Sequence, residues 1–183
     1  YMAPKAFKHA FTSGLGKKIS RTKLQGDGSD RNWYRLTSGN RSLIMADQGI
    51  RKSQSTSEVD SFVAIGCHLH DKELPVPEIY LYDTFSGLVF MEDLGNVNLQ
   101  TLVLNTENPE EIISYYKSVI DRLGILSVSG AKDFDPVWTY QTSYYNQDLI
   151  LEKECRYFVD AFLNTYLGLK IKYADFKNEF EYL

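Results

Sequence analysis

The sequence predicts an α+β protein, in which a β-rich N-terminal part with one inserted helix precedes a helical C-terminal part. Two segments, 32–47 and 78–92, show the alternating pattern and central turn of antiparallel hairpins. Between them, residues 55–71 carry apolar side chains at helical spacing, and beyond residue 95 only helical patterns follow. We therefore expect residues 19–92 to form an antiparallel sheet of about five strands, with the inserted helix packed on one face.

Three elements precede the inserted helix. Residues 3–13 have apolar side chains at helical spacing and end near two glycines, which predicts a short amphipathic helix. Residues 19–25 are expected to form a strand that enters a glycine turn. Residues 32–37 and 42–47 form the first predicted hairpin, because Ser38-Gly39-Asn40 supplies residues that favour turns.

The inserted helix is predicted at 55–71, and either Thr56 or Ser57 can serve as its N-cap. Its apolar face is formed by Val59, Phe62, Val63, Ile65 and Leu69. The segment Leu74-Pro75-Val76-Pro77 ends the helix, since two prolines cannot continue it.

A second hairpin and three helices complete the pattern. Residues 78–83 and 87–92 are expected to pair about Phe85-Ser86-Gly87. Apolar stripes predict helices at 110–127 and 147–167, and a further helix begins at residue 173. The expected organisation is an N-terminal helix or leader at 1–18, a β-rich N-terminal lobe at 19–95 and a partial helical lobe at 96–183.

Composition and charge favour an ordinary soluble, cytoplasmic chain. The 183 residues are 43% hydrophobic and 24% charged, as in typical globular domains. A formal net charge of −4 argues against nucleic acid as a partner. No apolar run approaches the length of a membrane span. Cys67 and Cys155 do not make a disulfide framework, which favours a reducing cytoplasm.

Two distant segments carry the predicted chemistry. Gly26-Asp27-Gly28-Ser29-Asp30 can turn tightly and direct backbone N–H groups at a phosphate, although a glycine pair by itself more often marks a plain hairpin turn. Much later, Leu88–Gly95 predicts a buried strand that runs into a polar turn with free backbone groups for a purine. Together the two segments indicate the nucleotide-binding half of a kinase-like fold.

The order of these elements resembles the aminoglycoside phosphotransferase and choline kinase group, which is itself similar to protein kinases. Within the group, the chain looks most like bacterial phosphotransferases that act on cell-wall amino sugars at the anomeric position. The resembling segments are Gly26–Arg31, Leu74–Tyr80, Met91–Gly95, Gln147–Glu154 and Tyr166–Leu169. The resemblance implies a protein-kinase-like fold with an antiparallel N-terminal lobe. It further implies transfer of a phosphoryl group from ATP, with Mg²⁺, to a sugar-like hydroxyl.

The resemblance also implies roles for individual residues. The turn from Gly26 to Asp30 would cover the phosphates of ATP. Glu92-Asp93-Leu94 would be the hinge between the lobes, with its backbone on the adenine, and Met91 would lie at the back of that pocket. Glu58, or alternatively Asp60, would be the acidic residue of the inserted helix that holds a phosphate-contacting cation.

Two departures from the family pattern matter. The third strand of kinases carries a lysine that pairs with the phosphates, and our alignment places Met45 there. Arg31 and Arg35 are the nearest replacement cations. The sequence leaves both open, because a one-residue shift of the hairpin register moves Arg35 to the other face. The family's catalytic loop, His-x-Asp-x-x-x-x-Asn, is not found, and Asp133-Phe134-Asp135 is expected to be a turn into Pro136.

We therefore expect a truncated kinase that positions ATP but is inactive alone, with its catalytic residues and Mg²⁺ ligands in a missing portion. The rival hypothesis is a non-catalytic, kinase-like module that holds a nucleotide or a protein partner. Cys67-His68-Leu69-His70 is not assigned to a metal, because helical residues i and i+2 do not share a face. Apolar stripes on the C-terminal helices further predict self-association.

Overall fold

The computed structural model describes residues 1–25, 31–51 and 55–182, which fall into two compact units. The first unit is Tyr1–Tyr140 and the second is Gln141–Leu183. The first unit contains the sheet, the inserted helix and the charged residues that the sequence indicated, and the second unit is described separately below.

A single antiparallel sheet forms the centre of the first unit. Its strands are β1 (Ser20–Lys23), β2 (Asn32–Ser38), β3 (Arg41–Asp47), β4 (Ile79–Asp83) and β5 (Leu88–Glu92). Across the described residues these five strands lie in the order β1-β2-β3-β5-β4, and each neighbouring pair is antiparallel. The predicted antiparallel sheet within residues 19–92 is therefore confirmed.

Along the described residues of the first unit, one α-helix precedes the first strand, one lies between β3 and β4, and two follow β5. They are α1 (Met2–Ala10), α2 (Glu58–Asp71), α3 (Leu99–Leu104) and α4 (Pro109–Ser129). Helix α2 begins at a reciprocal capping box, in which Ser57 Oγ accepts the Asp60 N–H and the Asp60 carboxylate accepts the Ser57 N–H. Ser57 is thus the N-cap instead of Thr56. Helix α3 was not predicted, because its 6 residues are too few to show periodicity.

The sheet separates two apolar layers. Helix α1 buries Ala6 and Phe7 on one face, against Leu36, Leu43, Met45 and Phe90. Helix α2 buries Val59 and Val63 on the other face, against Ala46, Val89 and Met91. Side chains alternate between these faces along each strand. We call them the α1 face and the α2 face, and the candidate site lies on the second.

The second unit is mostly helical. Its helical segments are Gln147–Leu149, the π-helical Ile150–Cys155 and Phe158–Tyr166, the 3₁₀-helical Tyr173–Phe176, and Lys177–Phe180. Gly168, just after the segment Phe158–Tyr166, has a φ of +69°, the left-handed conformation that favours glycine after a helix. No helix in the described part of the chain is both long enough and apolar enough to cross a membrane.

Helix α4 carries a prediction about association. None of its residues, all of which the structure describes, is buried, and Ile120, Leu123 and Val128 are each more than half exposed. Exposed apolar patches tend to find partners, so we expect the chain to self-associate at high concentration. Light scattering should show a shift towards monomer in the Ile120→Gln, Leu123→Gln double variant and no shift in Lys117→Gln. A wild-type chain that stays monomeric throughout would contradict this.

Candidate functional site

The predicted site residues divide into those that the structure describes and those that it does not. Gly26, Asp27, Gly28, Ser29 and Asp30 lie outside the described residues, so their contact with phosphates stays a prediction. The described candidates are Arg31, Arg35, Glu58, Met91, Glu92, Asp93 and Leu94. Of these, Met91 is buried in the layer under α2.

Arg31 forms an ion pair with Glu58, the first residue of α2. Its guanidinium also lies 5.7 Å from the centre of the Phe62 ring, one helical turn further along. The two partners therefore orient the arginine side chain along the first turn of α2. The side chains of Arg31 and Glu58 remain 23% and 37% exposed, so the pair is open to solvent on one side.

Asp60, the alternative acidic residue, takes part in the capping box at the N-terminus of α2. Its carboxylate accepts hydrogen bonds from the Ser57 N–H at 2.8 Å and the Ser57 hydroxyl at 2.7 Å, and it pairs with Arg51. Burial raises the pKa of Asp60, but the Ser57 hydrogen bonds and the Arg51 charge outweigh this and hold the pKa below its ordinary value. Glu58 is thus the acid that contacts a candidate phosphate-binding cation.

Arg35 is bound to the segment that follows β5. Its Nε and Nη2 donate to the two carboxylate oxygens of Asp93 at 2.7 and 2.9 Å. Its Nη1 donates to the Asn96 side-chain oxygen at 2.6 Å, and Nη2 also donates to the Gly95 carbonyl at 3.2 Å. The Asp93 side chain is only 7% exposed. We call Arg35, Asp93, Gly95 and Asn96 the hinge clamp.

The clamp holds Glu92-Asp93-Leu94, the segment that the sequence predicted to be a hinge. The Glu92 N–H donates to the Glu78 carbonyl at 2.9 Å, which extends the sheet by one bond. Gly95 has a φ of +87° and donates its N–H to Asp93 Oδ1 at 3.0 Å, closing a turn around Leu94. Because the Leu94 side chain is 66% exposed, its own packing does little to hold the backbone in place.

Met45 does not occupy the position that our alignment gave it. Its side chain is buried on the α1 face, away from α2, because β3 alternates sides at every residue. Ile44 and Ala46 are the β3 residues packed on the α2 face. The β3 residues on the α2 face are thus apolar, and the positive charge beside Glu58 belongs to Arg31.

The pKa of Asp93 links the hinge clamp to stability. Burial raises this pKa, but hydrogen bonds from Arg35, Ser42 and the Gly95 N–H, together with the Arg35 charge, lower it below the ordinary value. A carboxylate whose folded pKa is depressed stabilises the protein above its unfolded pKa. That contribution is lost as the pH falls through the folded pKa.

Asp93→Asn is therefore expected to lower the free energy of unfolding by about 2 kcal/mol near neutral pH. The loss should shrink as the pH falls below about 4, where the unfolded chain's carboxylate becomes protonated, and on through the lower folded pKa of Asp93. Urea unfolding at a series of pH values measures both effects, and Asp121→Asn on α4 is the control. A loss that is constant from neutral to acidic pH would contradict this account.

Sequence reasoning did not foresee the buried cluster at the end of α2. His68 Nε2 lies 2.8 Å from the Gly130 carbonyl, and its ring contacts Phe134 and Trp138. Asp133 adopts a φ of +61°, as a turn residue does, in line with the expected turn into Pro136. These contacts attach the segment after α4 to α2. The available sequence signal was His68, which directly precedes Leu69 of the predicted apolar face of the helix.

Comparisons with known proteins do not assign a family. No protein-family model matches this chain, and no curated protein matches it. Its function is therefore inferred from the sheet, helix α2 and the charged residues on the α2 face.

Proposed function

We propose that this chain is the ATP-binding part of a small-molecule phosphotransferase with a protein-kinase-like fold. The observation that carries the proposal is the Arg31–Glu58 pair, in which an acid of the inserted helix holds the cation that directly follows the predicted glycine turn in sequence. In protein kinases, a third-strand lysine makes the corresponding pair with a glutamate of the helix that follows this strand. The order β1-β2-β3-β5-β4, with α2 between β3 and β4, supports the same fold.

Arg31 would supply positive charge to the phosphates of ATP. Phosphoryl transfer depends on positioning and on neutralising the negative charge of the transferred group. Glu58 and Phe62 orient the guanidinium, and its partial exposure leaves room for it to donate to a phosphate oxygen. The neighbouring glycine turn would add backbone N–H groups as further donors.

The adenine would lie against the hinge. Met91 forms the back of this region, since it is buried on the α2 face and pairs with Ile44 across the sheet. The Leu94 backbone lies in the turn that the hinge clamp closes. The acceptor would be a sugar or amino-sugar hydroxyl.

Mg²⁺ is the metal that such a reaction requires. Among the described residues no group of three or more histidine, cysteine, aspartate or glutamate side chains is placed to hold a metal ion. The described residues therefore do not fit a complete magnesium site, and ligands for the metal are not assigned to them.

Titration of the ¹⁵N-labelled chain with ATP tests the proposal. We expect chemical-shift changes at residues 31–35 and 91–96. The affinity should be weak, because the described residues do not form a complete magnesium site. Lys117→Gln on α4 should give the same changes. Shifts confined to residues 141–182 would contradict the proposed site.

A phosphate-transfer assay separates this proposal from its rival. With radiolabelled ATP and N-acetylmuramic acid or N-acetylglucosamine, we expect no turnover by the 183-residue chain, since it contains no His-x-Asp-x-x-x-x-Asn. A longer protein that contains this chain should transfer phosphate. If that longer protein bound ATP without transferring phosphate, the non-catalytic module would be favoured. The apolar residues on the α2 face of β3, where kinases carry a lysine, also favour that alternative.

A further inference from the structure

We propose that Arg35 is a positioning residue that sets the affinity for the purine base, by holding the backbone of the hinge in place. This inference rests on the proposed function and deepens it. It gives the two arginines separate roles. Arg31, just before β2, would act at the phosphates, and Arg35, within β2, would act on the base through the hinge clamp.

Arg35 reaches across a whole strand to make the clamp. In the sheet, β3 separates β2 from β5. Ile44 of β3 lies opposite Arg35 on one side and opposite Met91 on the other. The guanidinium therefore crosses β3 on the α2 face and meets Asp93, two residues after Met91. It ties the first hairpin to the segment that leaves the sheet.

The guanidinium is committed to this segment by its hydrogen bonds. Four bonds of 2.6 to 3.2 Å join it to Asp93, Gly95 and Asn96. The pair with Asp93 is bidentate, so it fixes direction as well as distance. Arg35 would have to release these bonds before it could bind a phosphate.

The group that the clamp positions is the backbone around Leu94. The Leu94 side chain projects into solvent, so neighbouring residues must set the direction of its backbone groups. Asp93 does so from one side by accepting the Gly95 N–H, and Arg35 holds both Asp93 and the Gly95 carbonyl. The affinity for a base that hydrogen-bonds to this backbone would therefore depend on how well the clamp aligns the backbone groups.

Titrations with adenosine, tripolyphosphate and ATP test this role. Arg35→Lys keeps the charge but loses the bidentate geometry. We expect it to weaken adenosine and ATP binding about tenfold, as misaligned hydrogen bonds do, and to leave tripolyphosphate binding unchanged. Arg31→Gln should weaken tripolyphosphate and ATP binding and leave adenosine binding unchanged. Equal weakening of tripolyphosphate and ATP by Arg35→Lys would overturn the inference and make Arg35 a phosphate ligand or a purely structural residue.

A second variant keeps the test decisive if Arg35→Lys does not fold, as judged by circular dichroism. Asn96→Ala removes one bond of the clamp and should weaken adenosine and ATP binding, again without affecting tripolyphosphate. Unchanged adenosine binding in the folded variant would overturn the inference. A wild-type chain that binds neither ATP nor adenosine would overturn the proposed function itself, whereas wild-type binding that both variants retain would overturn only the role of Arg35.

Discussion

Arg31→Gln is expected to weaken ATP binding about a hundredfold, because a charge-assisted hydrogen bond to a phosphate contributes about 2 to 3 kcal/mol. Glutamine keeps much of the side-chain length and can still donate a hydrogen bond, but it carries no charge. In this protein the loss should be large, since Arg31 pairs with Glu58 and directly follows the predicted glycine turn in sequence. Calorimetric or NMR titration with ATP measures the change.

The same substitution should leave the fold nearly unaffected. Both side chains of the Arg31–Glu58 pair are partly exposed, and such pairs contribute at most about 1 kcal/mol to stability. Glu58→Gln should weaken ATP binding less than Arg31→Gln does, because it loosens the guanidinium without removing its charge. If Arg31→Gln bound ATP as the wild type does, Arg31 would not be the phosphate cation.

Gly87→Ala is expected to lower the free energy of unfolding by about 3 to 4 kcal/mol. Gly87 has a φ of +72°, and an added Cβ would lie 2.1 Å from the Gly49 carbonyl oxygen. The glycine also accepts the Gln48 N–H at 3.0 Å, so the second hairpin and the loop after β3 meet here backbone to backbone. Neither partner is a flexible side chain that can move aside.

Gly49→Ala is the matched control. Gly49 has a φ of +77°, but no atom of the described residues lies within 4 Å of its added Cβ. It should therefore show only the cost of the left-handed backbone, about 1 to 2 kcal/mol. Chemical denaturation of both variants isolates the steric contact by difference. Equal losses would show that the approach of Gly87 to Gly49 carries no cost of its own.

Local patterns in the sequence determined most elements of the first unit. Alternation and the Gly39 turn specify the first hairpin, and the paired prolines after Leu74 mark the end of α2, because turn and breaker residues act on their immediate neighbours. The sequence also indicated Glu58 as an acidic residue of the inserted helix, and it is the first residue of α2. Helix α3 was missed, since one or two turns of helix leave too few apolar repeats to detect.

Only the tertiary structure decided which face each residue occupies and which residues meet. The strand register places Met45 on the α1 face and leaves Ile44 and Ala46 towards α2, and a one-residue shift would have exchanged them. Arg35 and Asp93 are 58 residues apart, so their pairing depends on β5 lying beside β3. A sequence pattern specifies local conformation, whereas an ion pair across a strand requires the register and order of the whole sheet. For this reason the sequence left Arg31 and Arg35 as equal candidates, and only the folded sheet shows that Arg31 pairs with Glu58 and Arg35 with Asp93.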